Sequence, residues 1–228
     1  MPTAIVTGAS RGLGFELTRA LLREGRRVVI DARGVRELEA AERTLAELGD
    51  VVAVRGNVTD PDHRAELLAA AGPELDLLVN NASVLGPSPQ PPLASYPVEV
   101  LEYVYRVNVV APLALAQLAI PRLPEVGRIL NVTSDAAVEP YAGWGGYGSS
   151  KAALEQLTAI LAAEHPELRI YAVDPGDMRT RMHQEAFPGE DISDRPPPED
   201  SVPGLMELIE GDRPSGRYRA AELVGSPA

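Results

Sequence analysis

A tyrosine and a lysine lie four residues apart in the segment Tyr147-Gly-Ser-Ser-Lys151, downstream of Ser134. Residues at this spacing share one face of a helix, so the phenol and the ammonium would be neighbours. A free tyrosine has a pKa near ~10, and a nearby cation lowers that pKa because it favours the phenolate. If Ser134 donates a hydrogen bond to a substrate oxygen while Tyr147 exchanges its proton, the three side chains could interconvert an alcohol and a carbonyl. The spacing alone leaves open a surface lysine lying across a half-buried tyrosine.

Short β-branched runs alternate with amphipathic segments along the 228 residues. This alternation predicts an α/β fold in which a doubly wound parallel sheet carries helices on both faces. Leu13, Leu17 and Leu21 recur at helical spacing, and Asp60-Pro61 is typical of a helix start. The predicted strands are 4–7, 27–32, 51–55, 75–80, 128–132 and 169–173.

The first predicted strand leads into the segment Thr7-Gly8-Ala9-Ser10-Arg11-Gly12-Leu13-Gly14. Glycines permit a tight turn and close backbone approach, so the free N–H groups of the following helix can bind a pyrophosphate. The position after a buried strand and before an amphipathic helix is the one that a Rossmann fold requires. No Lys-Ser or Lys-Thr follows the glycines, which excludes a P-loop. A purely structural strand-to-helix turn is the alternative.

Composition bounds the class of protein. A chain with 45% apolar and 24% charged residues is typical of a globular protein, and we expect a single domain over residues 1–228. The net charge of −12 argues against nucleic-acid or anionic-membrane partners. No apolar run approaches the ~20 residues of a membrane span, and no secretory signal begins the chain. Cysteine is absent and the three histidines are scattered, so we expect a cytoplasmic protein without a metal site.

The proline-rich, acidic segment 177–203 interrupts the alternating pattern. We interpret it as a loop over the substrate site, because too little chain follows it to form another core. Its Arg179, Arg181 and His183 could receive an acidic or polar substrate, and solvated charges are the alternative. Trp144 and Tyr141 could line the substrate pocket, and packing in the core explains either aromatic ring equally well.

Further motifs follow the glycine turn in a fixed order: Asn80-Asn81-Ala82, Asn108, Ser134, Tyr147, Lys151 and Asp174-Pro175-Gly176. Together with the spacing of the glycines, this order resembles the classical short-chain dehydrogenase/reductase family. The resemblance runs from Thr3 to about Tyr218. It implies a nicotinamide-dependent oxidoreductase that acts on a ketone or a secondary alcohol.

The resemblance also implies a role for each matching side chain. Tyr147 would be the general acid/base, Ser134 would orient the substrate oxygen, and Lys151 would lower the pKa of Tyr147 and hold the nicotinamide ribose. Asn108 would bind a water of the proton relay; a polar residue that satisfies a helix irregularity is the alternative. The implied cofactor contacts are Gly8, Ser10, Arg11, Gly12, Leu13, Gly14, Arg33, Asn57, Val58, Asn81, Ala82, Tyr147, Lys151, Pro175, Gly176 and Thr180.

Two positions depart from the family pattern. Asn57 stands where family members more often have aspartate, but its side chain still offers an acceptor and a donor. Ser83 replaces the commoner glycine, which narrows the backbone conformations open to the chain near the substrate.

The choice of cofactor depends on the end of the second strand, which reads Val28-Val29-Ile30-Asp31-Ala32-Arg33. In the family pattern Ala32 occupies the place of the acid that selects NAD, and Arg33 that of a base that binds the 2′-phosphate of NADP. Arg11 could supply a second positive charge. We therefore predict NADP(H). NAD is the alternative, because a shift of one residue would bring the Asp31 carboxylate to the ribose.

Three functions stay open. The first is an NADP-dependent oxidoreductase acting on a small-molecule ketone or secondary alcohol. The second is a non-catalytic regulator that binds the cofactor, and the third is an epimerase or dehydratase of an activated sugar, which the glycine spacing disfavours. The helix that contains Tyr147 carries a broad apolar surface, and members of the family commonly pair through it, so we expect a homodimer or homotetramer.

Overall fold

The computed structural model describes residues 1–224, and residues 225–228 of the predicted domain lie outside this range. Seven parallel strands form one sheet in the order β3-β2-β1-β4-β5-β6-β7. The strands are β1 (Thr3–Val6), β2 (Arg27–Ala32), β3 (Val51–Arg55), β4 (Leu77–Asn80), β5 (Arg128–Val132), β6 (Arg169–Asp174) and β7 (Gly216–Arg219). The helices are α1 (Gly12–Arg23), α2 (Val35–Leu45), α3 (Pro61–Ala71), α4 (Val98–Tyr105), α5 (Ala111–Ala119), α6 (Gly145–Glu164), α7 (Arg181–Ala186), α8 (Val202–Glu210) and α9 (Ala220–Leu223).

The central strands are buried on both faces of the sheet. In β1, Ala4 and Val6 join the apolar cluster that contains α1, α2, α8 and α9, while Ile5 joins the opposite cluster with α3 and α5. Successive side chains of a strand point to opposite faces, so both faces demand apolar residues. This is why the central strands read as unbroken apolar runs, and it confirms the predicted doubly wound α/β architecture.

The structure differs from the sequence prediction mainly at the ends of the chain and of its elements. All six predicted strands are present, but the fourth begins at Leu77, two residues later than predicted. The seventh strand, β7, escaped prediction because its four residues Gly-Arg-Tyr-Arg have no apolar run at the edge of the sheet. Segment 177–203 contains the short helix α7, and its last two residues already belong to α8.

The order of the strands places a crevice at the carboxyl ends of β1 and β4. The connections run outward from β1 in one direction through β2 and β3, and from β4 in the other direction. Helices that leave neighbouring strands toward opposite faces open a crevice at such a switch point. The loops after β1, β2, β4, β5 and β6 therefore meet around one site.

One helical stretch, Val98–Arg122, joins α4, a π-helical turn and α5 over 25 residues. By length and composition this stretch would match a membrane span, and the sequence analysis did not predict such a stretch. Half of its most apolar window is buried inside the fold, as in the core helix of many α/β proteins. Ala111, Leu115 and Ala119 of α5 belong to the apolar cluster beneath the sheet.

Candidate active site

The carboxyl ends of the strands border a cleft of about 1290 Å³. Two of the predicted site residues, Gly14 and Asn108, lie behind its wall. The others line it directly: Gly8, Ser10, Arg11, Gly12, Leu13, Arg33, Asn57, Val58, Asn81, Ala82, Ser134, Tyr147, Lys151, Pro175, Gly176 and Thr180. The predicted catalytic and cofactor residues are thus brought to one place.

The glycine turn after β1 packs too closely against the loop after β4 for side chains. Gly8 has a φ of +66°, and a Cβ there would lie 2.8 Å from the Cα of Ala82. A Cβ on Gly14 would lie 2.5 Å from Nδ2 of Asn81. Glycine is therefore required at position 14 because the backbone packs closely against Asn81 beneath the turn. Gly14 does not line the cleft.

Asn81 and Thr7 hold this contact together. The Asn81 amide donates to the carbonyl oxygens of Thr7 and Gly8 at 2.8 and 3.1 Å. The Thr7 hydroxyl accepts the N–H groups of Asn81 and Ala82, both at 3.0 Å. Asn81 and Ala82 thus line the cleft while fixing the conformation of the turn.

The first turn of α1 is a suitable site for an anion. Its N-cap residue, Arg11, makes no side-chain capping bond, and no acidic residue stands in the first turn. Gly12 and Leu13 of this turn face the cleft. Uncapped N–H groups and the helix dipole favour negative charge, so the turn fits the diphosphate of a dinucleotide.

At the end of β2, Arg33 is exposed at the rim of the cleft. Its Nη1 donates a hydrogen bond of 2.7 Å to the hydroxyl of Tyr103 on α4. Glu37, in the first turn of α2, lines the same end of the cleft. Tyr103 and Glu37 were not predicted as site residues from the sequence, because neither belongs to a motif. Only the fold brings them close to Arg33.

Asp31 borders the cleft beside Ala32 and Arg33, but its carboxylate is buried. Its side chain is 2% exposed, and Oδ1 accepts the N–H of Gly8 at 2.6 Å. Oδ2 lies 2.9 Å from Nε2 of His63, which is 4% exposed. The carboxylate that could have selected NAD is therefore occupied by the glycine turn and by α3.

Helix α6 presents Tyr147 and Lys151 on one buried face, as their spacing predicts. The Nζ of Lys151 donates to the Val132 carbonyl at 2.8 Å and lies 5.4 Å from the centre of the Tyr147 ring. Ser134 caps a short 3-10 turn after β5, and its hydroxyl donates to Oδ1 of Asp135 at 2.9 Å. Tyr147, Lys151 and Ser134 all line the cleft.

The pKa values at this site correct one expectation from the sequence. Burial raises the pKa of Tyr147 well above its ordinary value, and the Asp174 carboxylate adds to the rise. Hydrogen bonds with the hydroxyls of Ser134 and Ser83 act in the opposite direction. The predicted lowering by Lys151 does not prevail, because burial of the phenol has the larger effect on the pKa of Tyr147. Burial also lowers the pKa of Lys151 to about 8.

Asn108 lies in the π-helical turn Arg106–Val110 between α4 and α5. Its Oδ1 accepts from the Ser83 hydroxyl and the Val84 N–H at 3.1 and 2.9 Å. Its Nδ2 donates to the Val84 carbonyl and the Ser150 hydroxyl at 2.9 and 3.0 Å. The side chain has no bonding capacity left, so a relay water would have to bind main-chain atoms of the turn.

Ser83, the residue that departs from the family pattern, connects two members of the predicted catalytic set. Its hydroxyl donates to Oδ1 of Asn108 at 3.1 Å, and it also acts to lower the pKa of Tyr147. The sequence marked this position only as an exception. Its link to Asn108 depends on the π turn, which no sequence pattern revealed.

Comparison with known proteins assigns the family. The family model described as short chain dehydrogenase matches residues 2–191. The chain belongs to the short-chain dehydrogenase family. The Emericella nidulans short chain dehydrogenase asqE is 37% identical over 174 residues, which cover 71% of this chain and 64% of that protein. The Escherichia coli oxidoreductase YciK is 30% identical over 220 residues, which cover 91% of this chain and 86% of YciK.

A solved structure of another short-chain dehydrogenase gives the same fold. The protein from Escherichia coli CFT073, crystallised in complex with NADPH, superposes with a TM-score of 0.85 at 28% identity. The match covers 96% of both chains. Among residues 1–224, no group of three or more His, Asp and Glu side chains is placed to hold a metal ion.

Proposed function

We propose that this short-chain dehydrogenase reduces a ketone to a secondary alcohol with NADPH, and that Tyr147 donates the proton. One observation carries the proposal: Ser134, Tyr147 and Lys151 line the same cleft as the glycine turn and Arg33. A site that holds a nicotinamide cofactor beside a general acid is suited to this chemistry.

The residues of the cleft fit a dinucleotide. The uncapped first turn of α1 would bind the diphosphate, and Asn57 and Val58 would approach the adenine. The Lys151 ammonium would hold the nicotinamide ribose, while Pro175, Gly176 and Thr180 would enclose the carboxamide. The neighbouring structure that was solved with NADPH supports the same class of cofactor.

Arg33 favours NADPH over NADH. Its guanidinium stands at the rim of the cleft, where it would pair with a 2′-phosphate. Arg11 also lines the cleft and would add positive charge, while the carboxylate of Glu37 would oppose it. Asp31 would contribute little to this choice, because its carboxylate is buried and is held by Gly8 and His63.

The neutral form of Tyr147 is the form that reduction requires. Because burial raises the pKa of the phenol, Tyr147 is neutral at physiological pH and can donate a proton. When bound, NADPH supplies the hydride to the carbonyl carbon. The Ser134 hydroxyl would turn its proton from Asp135 to the carbonyl oxygen and so orient it. Tyr147 would protonate that oxygen as negative charge develops on it. The ammonium of Lys151 would return a proton to Tyr147 through a water that the main chain of the π turn around Asn108 holds.

The two alternatives are tested by a single assay. Purified protein is mixed with NADPH or NADH and a panel of ketones, and oxidation of the cofactor is followed by its absorbance. We expect oxidation of NADPH that depends on a ketone. Binding of NADPH without turnover of any ketone or alcohol would favour the non-catalytic regulator. Conversion of an activated sugar without net change in the cofactor would favour the epimerase or dehydratase.

We also propose that the protein forms a homodimer or homotetramer through α4, α5 and α6. Exposed apolar side chains on and between these helices include Val110, Leu118 and Ile160, which are 53%, 42% and 43% exposed. A monomeric mass in solution at micromolar concentration would contradict this.

The acidic net charge and the absence of cysteine support a cytoplasmic enzyme with a small-molecule substrate and with neither nucleic acid nor membrane as partner.

A further inference from the structure

Aromatic rings surround the substrate end of the cleft, and Trp144 lies at their centre. Its ring centroid is 5.9 Å from that of Tyr147 and 5.8 Å from that of Phe187. Tyr141 lies 6.3 Å away on another side, edge-on to the indole. Trp144 is the only tryptophan of the chain, is half-buried, and lines the cleft beside the phenol of Tyr147.

Apolar side chains form one part of the cleft surface near Trp144. Leu85 and Tyr147 form a small buried cluster, against which Trp144, Met182 and Ala186 pack. All five of these side chains line the cleft. A ring that enters beside Tyr147 would therefore meet an indole on one side and aliphatic side chains on others.

The cations of the segment 177–203 are directed to partners within that segment. The Nε of Arg181 lies 2.8 Å from Oε1 of Glu185. Arg195 donates to the Asp194 carboxylate at 2.8 Å, and Arg179 donates to the main-chain oxygen of Ser193 at 3.2 Å. The Nδ1 of His183 lies 3.8 Å from Oδ1 of Asp177. Arg179, Arg181 and His183 all line the cleft, but these contacts engage their side chains, which favours the alternative that they do not receive an acidic substrate.

A carboxylate stands next to the predicted catalytic serine. Asp135 accepts hydrogen bonds from Ser134 through Oδ1 and from the hydroxyl of Tyr141 through Oδ2, both at 2.9 Å. Asp135 lines the cleft, so its charge faces the space where a substrate would lie. A second carboxylate brought there on a substrate would be repelled.

We propose that the substrate is an uncharged aryl ketone, whose ring packs against Trp144 while its carbonyl oxygen meets Ser134 and Tyr147. This inference rests on the proposed reductase function and specifies the substrate class of the same site. The reaction is ketone plus NADPH plus a proton giving the secondary alcohol plus NADP⁺. The carbonyl carbon gains the hydride and the carbonyl oxygen gains the proton of Tyr147.

Two matched ketones test the role of the ring. Acetophenone and cyclohexyl methyl ketone both carry a six-membered ring on the carbonyl carbon, but only the former is aromatic. Because conjugation makes an aryl ketone intrinsically less reactive, the informative quantity is the ratio of their kcat/KM values in each variant. An aromatic contact contributes about 0.5–1.5 kcal/mol beyond buried area, which corresponds to about 2- to 13-fold.

We expect Trp144→Leu to lower the ratio of acetophenone to cyclohexyl methyl ketone by about 2- to 13-fold. The control is Tyr218→Leu, which removes an aromatic ring on β7 that does not line the cleft. This control should leave the ratio unchanged. An equal ratio in wild type and Trp144→Leu would overturn the inference while leaving the reductase intact. If no ketone oxidises NADPH, the proposed function itself fails and the inference fails with it.

The charge of the substrate is tested with 4-acetylbenzoate, which adds a carboxylate to acetophenone. Because Trp144 is the only tryptophan, quenching of the protein's fluorescence reports binding at this site without any turnover. We expect saturable quenching by acetophenone and at least tenfold weaker quenching by 4-acetylbenzoate. Equal or tighter binding of 4-acetylbenzoate would overturn the proposal of an uncharged substrate.

Discussion

The carboxylate of Asp31 and the imidazole of His63 form a buried hydrogen-bonded pair, with 2.9 Å between Oδ2 and Nε2. The other oxygen of Asp31 accepts the N–H of Gly8, the first glycine of the turn after β1. The pair therefore connects β2, α3 and the turn proposed to bind the cofactor. We propose that Asp31 supports the cofactor site from beneath, through these two contacts, and that Arg33 selects the cofactor.

Removing His63 should weaken both the fold and the glycine turn. Loss of one partner from a buried pair costs about 3–5 kcal/mol, so we expect His63→Ala to lower the free energy of unfolding by about 3 kcal/mol. We also expect a higher Kd for NADPH in the folded variant, measured by titration. The control Asp62→Ala changes an exposed neighbour in the same turn of α3 and should cost less than about 1 kcal/mol. An unchanged Kd in His63→Ala would mean that the pair stabilises the fold alone.

Arg33 should decide the choice between the two cofactors. Hydrogen bonds to charged groups contribute about 1.5–3 kcal/mol, so Arg33→Ala should lower the preference for NADPH over NADH by about 13- to 160-fold. The control is Arg36→Ala, which removes the same charge from an exposed position of α2 that does not line the cleft. The preference is measured as the ratio of the kcat/KM values for NADPH and NADH. An equal ratio in Arg33→Ala and in wild type would count against the NADP assignment.

Asp174 should shift the pH profile of alcohol oxidation. Its negative charge raises the pKa of Tyr147, and oxidation requires Tyr147 as phenolate. Asp174→Asn removes that charge, so the phenolate would form at lower pH. We expect the rise of kcat/KM for a secondary alcohol to move to lower pH, as measured from pH 7 to pH 11. A shift in the opposite direction would contradict the electrostatic role of Asp174.

Lys151 should make cofactor binding depend on pH. Burial lowers its pKa to about 8, so the ammonium predominates below that pH and is lost as the pH rises through it. A charged donor forms hydrogen bonds about twice as strong as a neutral one, so we expect NADPH affinity to fall about fivefold between pH 7 and pH 9. Fluorescence titrations with Lys151→Met should show weaker binding without this decline. The same decline in wild type and variant would assign it to another group.

The sequence predicted the parts of the site that depend on local spacing. Tyr147 and Lys151 lie on one helical face because four residues make about one turn, and the glycine turn follows the first buried strand. The crevice could also be anticipated, since alternating strands and helices favour a parallel sheet with a switch point.

Other features depend on contacts that join distant parts of the chain. Alternation along β2 fixes the face on which Asp31 lies, but only the packing of α3 on that face brings His63 to it. The four hydrogen bonds of the Asn108 side chain depend on its position in the π turn. Tyr103 contacts Arg33 only after the chain has folded. The pKa of Tyr147 depends mainly on burial, whose effect is larger than the lowering that the spacing to Lys151 predicts.

The central claim is that Tyr147 supplies the proton in an NADPH-dependent reduction, and Tyr147→Phe tests it most directly. The variant keeps the ring and removes the hydroxyl, while Tyr218→Phe removes a hydroxyl that bonds to the Pro214 carbonyl away from the cleft. General acid catalysis contributes about 10²- to 10⁴-fold, so we predict that Tyr147→Phe lowers kcat for ketone reduction by at least about 100-fold with little change in the Kd for NADPH. Tyr218→Phe should retain activity. Ketone reduction by Tyr147→Phe at the rate of the wild type would contradict the account.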